Sequence, residues 1–369
     1  MSKSNPRLKV GIIDTVPIPP RTGGERLLLN IYNILENNFD CLRYRFALNT
    51  EGSVLFYPLY PFLKVFGEGL RRKVDVLFAS WSGASPVAAD MIYLQPPAVL
   101  SSDPSSLRAR LGLGSESPRN LWPPPLMWLY YNSPMRRILD PAAYRALDRV
   151  GTILVASRHL QAELTSELHR DSIVVYPSMS KESYATFNSP APPPPKSQQV
   201  VTVSRLVPEK RLEMVVEIAN HLPNLKFVIA GREGESTKHY LPALRRLSTG
   251  NNLEIRTSIS EREKVALLGE SQVFLNTSEN EGFLLTPVEA LLTGTYPVVF
   301  ASGGPTDYLP REHLFGSTTE AIELIRGVVS GKRSISPEVT REAKRLADPT
   351  RFEKEIVTAT LTAADRRRA

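Results

Sequence analysis

Short, continuous apolar runs alternate with amphipathic stretches along almost the whole chain, in two successive rounds. In the first round the runs are Lys9–Ile13, Val74–Ala79, Met91–Leu94, Thr152–Ala156 and Ser172–Tyr176, with a helical pattern from Glu25 to Leu35 after the first run. In the second they are Val200–Ser204, Lys226–Ala230, Leu253–Arg256, Val273–Asn276 and Tyr296–Phe300. Helical patterns over Lys210–Asn220, His239–Leu247, Glu261–Gly269 and Thr286–Leu292 separate these. A strand that is apolar on both faces must be covered on both faces, and helical crossovers do this for parallel sheets. The pattern predicts an α/β protein with two Rossmann-like, doubly wound lobes.

The length of 369 residues also exceeds what one small core organises. The run Pro190-Ala191-Pro192-Pro193-Pro194-Pro195 reads as a stiff linker. The expected division is therefore an N-terminal lobe over residues 1–187, a linker over 188–198, a C-terminal lobe over 199–349 and a helix over 350–369 that packs back on the first lobe. The terminal Arg366-Arg367-Arg368-Ala369 reads as a solvated, frayed end. A single cysteine, Cys41, excludes an intrachain disulfide and a cysteine-built metal cluster. No run of 18 apolar residues occurs and Met1–Pro6 carries no secretory pattern, so a cytoplasmic protein without a spanning helix is expected. The 45 basic residues exceed the 38 acidic ones, and most of the excess lies in residues 1–187, with 21 against 16. This modest basicity lacks the dense stripe of a nucleic-acid binder and suits small anions or an anionic lipid surface.

Ligands of parallel sheets bind beyond the C-terminal strand ends, and three such places carry chemistry. Arg205 and Lys210 flank a strand-to-helix turn after Val200–Ser204, where two cations can converge on one anion; a solvated surface loop is the other reading. After Val273–Asn276 comes Ser278-Glu279-Asn280-Glu281-Gly282-Phe283-Leu284-Leu285-Thr286-Pro287-Val288-Glu289. Glu281 and Glu289 can accept paired hydrogen bonds from vicinal hydroxyls, although Thr286 to Glu289 also reads as a capping box. Gly23-Gly24, after the first strand, can let backbone N–H groups approach a ligand.

Together these residues resemble the retaining nucleotide-sugar glycosyltransferases of family 4, which have the GT-B fold of two lobes facing a cleft. The resemblance is most specific from Val200 to Leu309 and includes Arg205/Lys210, the Glu281-x7-Glu289 spacing, Leu291-Leu292-Thr293-Gly294-Thr295-Tyr296-Pro297-Val298-Val299 and Ser302-Gly303-Gly304-Pro305. In the first lobe, Gly23-Gly24-Glu25-Arg26, Tyr93-Leu94-Gln95-Pro96-Pro97 and Val175-Tyr176-Pro177 look most like mannosyltransferases that build lipid-linked oligosaccharides for N-glycans at the cytosolic membrane face.

The resemblance implies that Arg205 and Lys210 hold the donor diphosphate and stabilise the leaving nucleotide. It places Glu289 on the ribose, Glu281 on the transferred sugar, Gly282, Phe283, Leu284 and Leu285 against sugar or phosphate, and Gly23 and Gly24 near the diphosphate or acceptor. Leu284 stands where the family usually has glycine, and Gln95 where many relatives have histidine. No Asp-x-Asp occurs, so neither a metal nor another cofactor is expected, and the nucleotide-sugar is a co-substrate.

The segments Tyr57–Lys73 and Leu121–Arg137 set aromatics beside cations, which suits either a membrane interface or a core with solvated neighbours. The expected activity is metal-independent, retaining transfer of a hexose, with GDP-mannose as donor and a lipid-linked sugar as acceptor, at an anionic membrane surface. The alternatives are a soluble UDP-sugar-dependent transferase and a non-catalytic nucleotide-sugar-binding protein. A 2-epimerase of similar fold is disfavoured by the Glu281-x7-Glu289 spacing and the few histidines.

Overall fold

Each round of apolar runs forms its own six-stranded, wholly parallel sheet. The computed structural model describes residues 8–14, 16, 23–45, 69–81, 89–94, 149–187, 195–232 and 237–368. The chain divides into two compact units, with breaks at Tyr176/Pro177 and Pro349/Thr350.

The first unit has the strand order β2-β1-β3-β4-β5-β6. Its strands are β1 (Lys9–Asp14), β2 (Asp40–Arg45), β3 (Val76–Trp81), β4 (Met91–Leu94), β5 (Thr152–Val155) and β6 (Ile173–Val174). Helix α1 (Gly23–Asn38) crosses from β1 to β2 and buries Leu28, Ile31, Tyr32, Ile34 and Leu35, a stripe at helical spacing. β2 was not expected from its sequence. Asp40-Cys41-Leu42-Arg43-Tyr44-Arg45 is an edge strand, only partly buried, and keeps its polar residues. Helix α2 (Arg158–Leu168) follows β5 and is capped by Ser157, whose hydroxyl accepts from Leu160 N–H.

The second unit has the order β12-β11-β10-β7-β8-β9. Its strands are β7 (Ser197–Val203), β8 (Lys226–Gly231), β9 (Leu253–Thr257), β10 (Ser271–Asn276), β11 (Tyr296–Phe300) and β12 (Leu314–Phe315). β12 has two residues and too short a signal to read. The helices are α3 (Lys181–Phe187), α4 (Leu212–His221), α5 (Thr237–Leu247), α6 (Glu261–Glu270), α7 (Thr286–Leu292), α8 (Thr318–Val329) and α9 (Pro337–Ala347). α3 belongs to this unit rather than to the first. Ser197 and Gln198 begin β7 rather than end a linker, and residues 188–194 lie outside the described ones. The core joins Val200, Phe227, Ile229, Val273, Leu275 and Val298 of the sheet to Leu212, Val216, Leu244, Ile322 and Ile325 of the helices. The winding direction reverses between β7 and β10, and that switch point is where an open parallel sheet leaves a crevice at its C-terminal edge.

The last helix, α10 (Pro349–Arg368), returns to the first unit. Phe352, Ile356, Ala359, Thr360, Ala363 and Ala364 are buried along one stripe of it. The Thr360 hydroxyl lies 4.0 Å from Met91 Sδ on β4. Two of its three terminal arginines are held by the first unit. Arg366 donates to Gly151 O at 2.8 Å, and Arg367 donates to the buried Asp90 carboxylate at 2.8 Å. No helix among the described residues is long and apolar enough to cross a membrane.

Candidate active site

β7 and β10 end side by side, and their following loops carry the expected cations and carboxylates. After β7 the chain makes a single turn of 3-10 helix, Pro208–Lys210, with proline at its start. Arg211 then takes a left-handed conformation, φ 52°, which turns the chain into α4 at Leu212, two residues later than the periodicity suggested. Thr277, beyond β10, fixes this turn to the neighbouring strand: its hydroxyl lies 2.8 Å from Lys210 O and 3.0 Å from Arg211 O.

The result is a direct ion pair between Lys210 Nζ and Glu281 Oε1. Both side chains are largely covered, with 16% and 19% of their surfaces exposed. A second pair, Arg211 with Glu279, lies beside it, and the Arg211 guanidinium sits 4.5 Å from the centre of the Phe300 ring. Arg211 and Glu279 were not among the expected site residues. Their signal was a cation adjacent to Lys210 and an acid two residues before Glu281. Arg205 is exposed, and its guanidinium forms no hydrogen bond or ion pair with a described residue.

The carboxylate loop is held by backbone packing. Gly304 N–H donates to Glu281 O at 2.7 Å, and Asn280 N–H donates to Ser302 Oγ at 3.0 Å. A Cβ on Gly303, where φ is +70°, would stand 2.4 Å from Glu281 O, and one on Gly304 would stand 2.2 Å from Gly282 O. Only glycine allows that approach. Phe283 is buried against Tyr308, with ring centres 5.0 Å apart, and the Tyr308 hydroxyl donates to Leu284 O at 2.6 Å. Burial pushes the Tyr308 phenol well above its ordinary pKa, so it stays a donor. Leu284 has φ +64°. This gives glycine at that position a backbone reason, since a side chain there costs about 1–2 kcal/mol.

Leu285 is the N-cap of α7 and makes no side-chain capping bond. The capping-box reading of Glu289 is therefore corrected. Its carboxylate does not reach back to the helix start but turns toward α6, where Lys264 Nζ lies 2.7 Å from Oε1. Lys264 also lies 2.7 Å from Glu261 and faces the Phe187 ring. Burial opposes its charge, but Glu289 and Glu261 outweigh that and raise its pKa. Lys264 was missed because nothing local to either segment marks a contact across 25 residues of sequence.

In the first unit, Gly23 and Gly24 open α1. A Cβ on Gly23 would meet no described atom within 4 Å, so packing among those atoms does not require glycine there. Gln95 lies outside the described residues, as do Leu121–Arg137 and Tyr57–Glu68. Two of the three first-lobe motif segments meet: the buried Tyr93 hydroxyl donates to Val175 O at 2.8 Å. Arg71, in the basic end of the Tyr57–Lys73 segment, binds Asp90, with Nε to Oδ1 at 2.7 Å. Arg72 and Lys73 are exposed.

Residues 183–330 match the family model described as glycosyl transferases group 1. Among curated relatives, a phosphatidylinositol N-acetylglucosaminyltransferase subunit of Arabidopsis thaliana is 26% identical over 148 residues, 38% of this chain and 32% of that protein. The GDP-Man:Man(3)GlcNAc(2)-PP-Dol alpha-1,2-mannosyltransferase of Candida albicans is 29% identical over 153 residues, 36% of this chain and 24% of that protein. The matches thus span a third or less of those relatives' length. Among solved structures, HepE of Anabaena, in complex with UDP and glucose, superposes with a TM-score of 0.64 at 16% identity, covering 96% of this chain and 99% of that one. WaaG, a glycosyltransferase involved in lipopolysaccharide biosynthesis, gives 0.65 at 12% identity, covering 95% and 99%. The two parallel six-stranded sheets with flanking helices are the GT-B fold.

Proposed function

We propose, for a chain whose residues 183–330 carry a glycosyl transferases group 1 domain on the GT-B fold, the transfer of a hexose from a nucleotide diphosphate sugar to a lipid-linked sugar. The observation that carries this reading is the pairing of Lys210 with Glu281 at the switch point of the second sheet. A diphosphate needs fixed positive charge that strengthens its hold as the leaving group gains negative charge, and a hexose needs a carboxylate that accepts from its hydroxyls. Both groups stand together there. Lys210 and the exposed Arg205 take the diphosphate, Glu281 takes the sugar, and the Oε2 of Glu289 takes the ribose. The transfer runs without a metal ion and with retention at the anomeric carbon.

GDP-mannose is the proposed donor. The Candida albicans relative is named for that nucleotide sugar, and both relatives are named for acceptors carried on a lipid. A lipid-borne acceptor calls for work at a membrane surface, and the proposed one is the cytosolic face. UDP-glucose is the second reading, favoured by the ligands of the Anabaena structure. A thermal-shift panel of GDP-, UDP- and ADP-sugars separates the two, since a ligand at a hundred times Kd stabilises the fold by about 2.7 kcal/mol. Slow release of nucleotide from the stabilising donor, unchanged in EDTA, distinguishes a metal-independent enzyme from a binding protein. Restoration by magnesium or manganese of activity lost to EDTA overturns the metal-free mechanism.

A further inference from the structure

We infer that the Lys210–Glu281 ion pair makes the donor site select an intact nucleotide sugar over the free nucleoside diphosphate that transfer leaves behind. This inference rests on the donor-site reading above. Each of the two largely covered charges is the other's partner. A diphosphate that binds Lys210 competes with Glu281 for its ammonium. The carboxylate cannot retreat by moving its backbone, because Gly304 N–H holds Glu281 O at 2.7 Å and the Cα atoms of Gly303 and Gly304 pack directly on the segment. Glu281 is then left beside two phosphates, short of a donor and facing like charge, which is the costly case for a covered polar group.

An intact nucleotide sugar removes that cost, because its hexose hydroxyls donate to Glu281 as its phosphates take Lys210. The free nucleoside diphosphate brings no such donors. The exchange is therefore balanced for substrate and unbalanced for product, and the product is expelled as Lys210 returns to Glu281. The neighbouring Arg211–Glu279 pair carries the same charges, but Glu279 is about half exposed, so water can replace a lost partner there.

The test is calorimetric titration of the full chain with GDP, UDP, ADP, their hexose derivatives and inorganic pyrophosphate. The proteins are the wild type, Glu281→Gln and, as a control for charge alone, Glu279→Gln. The expected result is that Glu281→Gln binds the free nucleoside diphosphate and pyrophosphate about tenfold tighter while gaining nothing for the nucleotide sugar. Glu279→Gln leaves the ratio near that of the wild type. Glu281→Ser repeats the measurement with a smaller group, should the amide disturb the fold. If Glu281→Gln and Glu281→Ser bind free nucleotide no tighter, or if Glu279→Gln tightens it equally, the selection device is wrong and the donor site stands. If none of the proteins binds any nucleotide or nucleotide sugar, the donor site falls and this inference with it.

Discussion

Lys264 holds the carboxylate of Glu289 from the neighbouring helix, with Nζ 2.7 Å from Oε1 and both side chains almost wholly covered. Breaking a buried pair by deleting one partner leaves an uncompensated charge and typically costs about 3–5 kcal/mol. Lys264→Met is therefore expected to lower the unfolding free energy by about 3 kcal/mol or more, measured by urea denaturation. A loss below about 1 kcal/mol, the range of exposed pairs, would mean the pair is solvated.

Glu289→Gln separates stability from binding. α7 has no side-chain cap to lose, and Lys264 keeps Glu261 as a partner. Donor affinity should fall by roughly 1.5–3 kcal/mol, the contribution of hydrogen bonds to a charged acceptor. Titration with the donor checks this, and unchanged affinity would remove Glu289 from the ribose.

If, as proposed, Lys210 and Arg205 face charge that grows as the nucleotide leaves, Lys210→Ala and Arg205→Ala should each lower kcat by roughly 10²–10³. Lys210→Glu should be worse than Lys210→Ala, since it sets a second carboxylate beside Glu281. Single-turnover rates with saturating donor decide the matter. Wild-type rates in either alanine variant would end the leaving-group role.

Gly304→Ala should displace the carboxylate loop, because its Cβ would stand 2.2 Å from Gly282 O. Overpacking of this kind costs about 1–3 kcal/mol. Both the melting temperature and turnover should drop. A fully active and equally stable Gly304→Ala protein would show that the loop is free to shift.

Stability should fall on mild acidification. Burial lowers the pKa of His313, whose ring lies 4.2 Å from Tyr296 and bonds Pro297 O at 3.0 Å. The folded state thus prefers the neutral ring. Its contribution is full above the unfolded value of about 6.5 and is lost as pH falls through the lower folded value. Melting temperatures between pH 7.5 and 5 should decline less steeply in His313→Gln than in the wild type. Equal slopes would contradict this.

The apolar runs made most of both sheets legible because buried parallel strands carry their signal within themselves. β2 and β12 escaped because an edge strand keeps its polar residues and a two-residue strand has no period. In the candidate site, Arg205, Lys210, Glu281 and Glu289 stood out by type and spacing, but the pairing of Lys210 with Glu281 and of Glu289 with Lys264 did not. Lys264 reaches Glu289 through tertiary packing, and the Glu289 carboxylate turns away from the helix cap its own sequence suggests. The leucine at 284 showed as a departure, but its left-handed backbone is a property of the folded loop. Arg367 reads as solvated charge in the sequence, but in the fold it shares the Asp90 carboxylate with Arg71.

The return of α10 to the first sheet has a consequence for the order of biosynthesis. The strands of the first unit leave the ribosome early, yet Phe352 and Ile356, which belong to that unit, are translated after every residue of the second. Domains generally fold as units and in order of emergence. Here the second unit can finish while the first still lacks a helix, so the nascent first sheet must wait with one apolar patch uncovered. Its greatest exposure to aggregation and its need for a chaperone fall in that interval, and they end only when Arg366 and Arg367 reach Gly151 and Asp90.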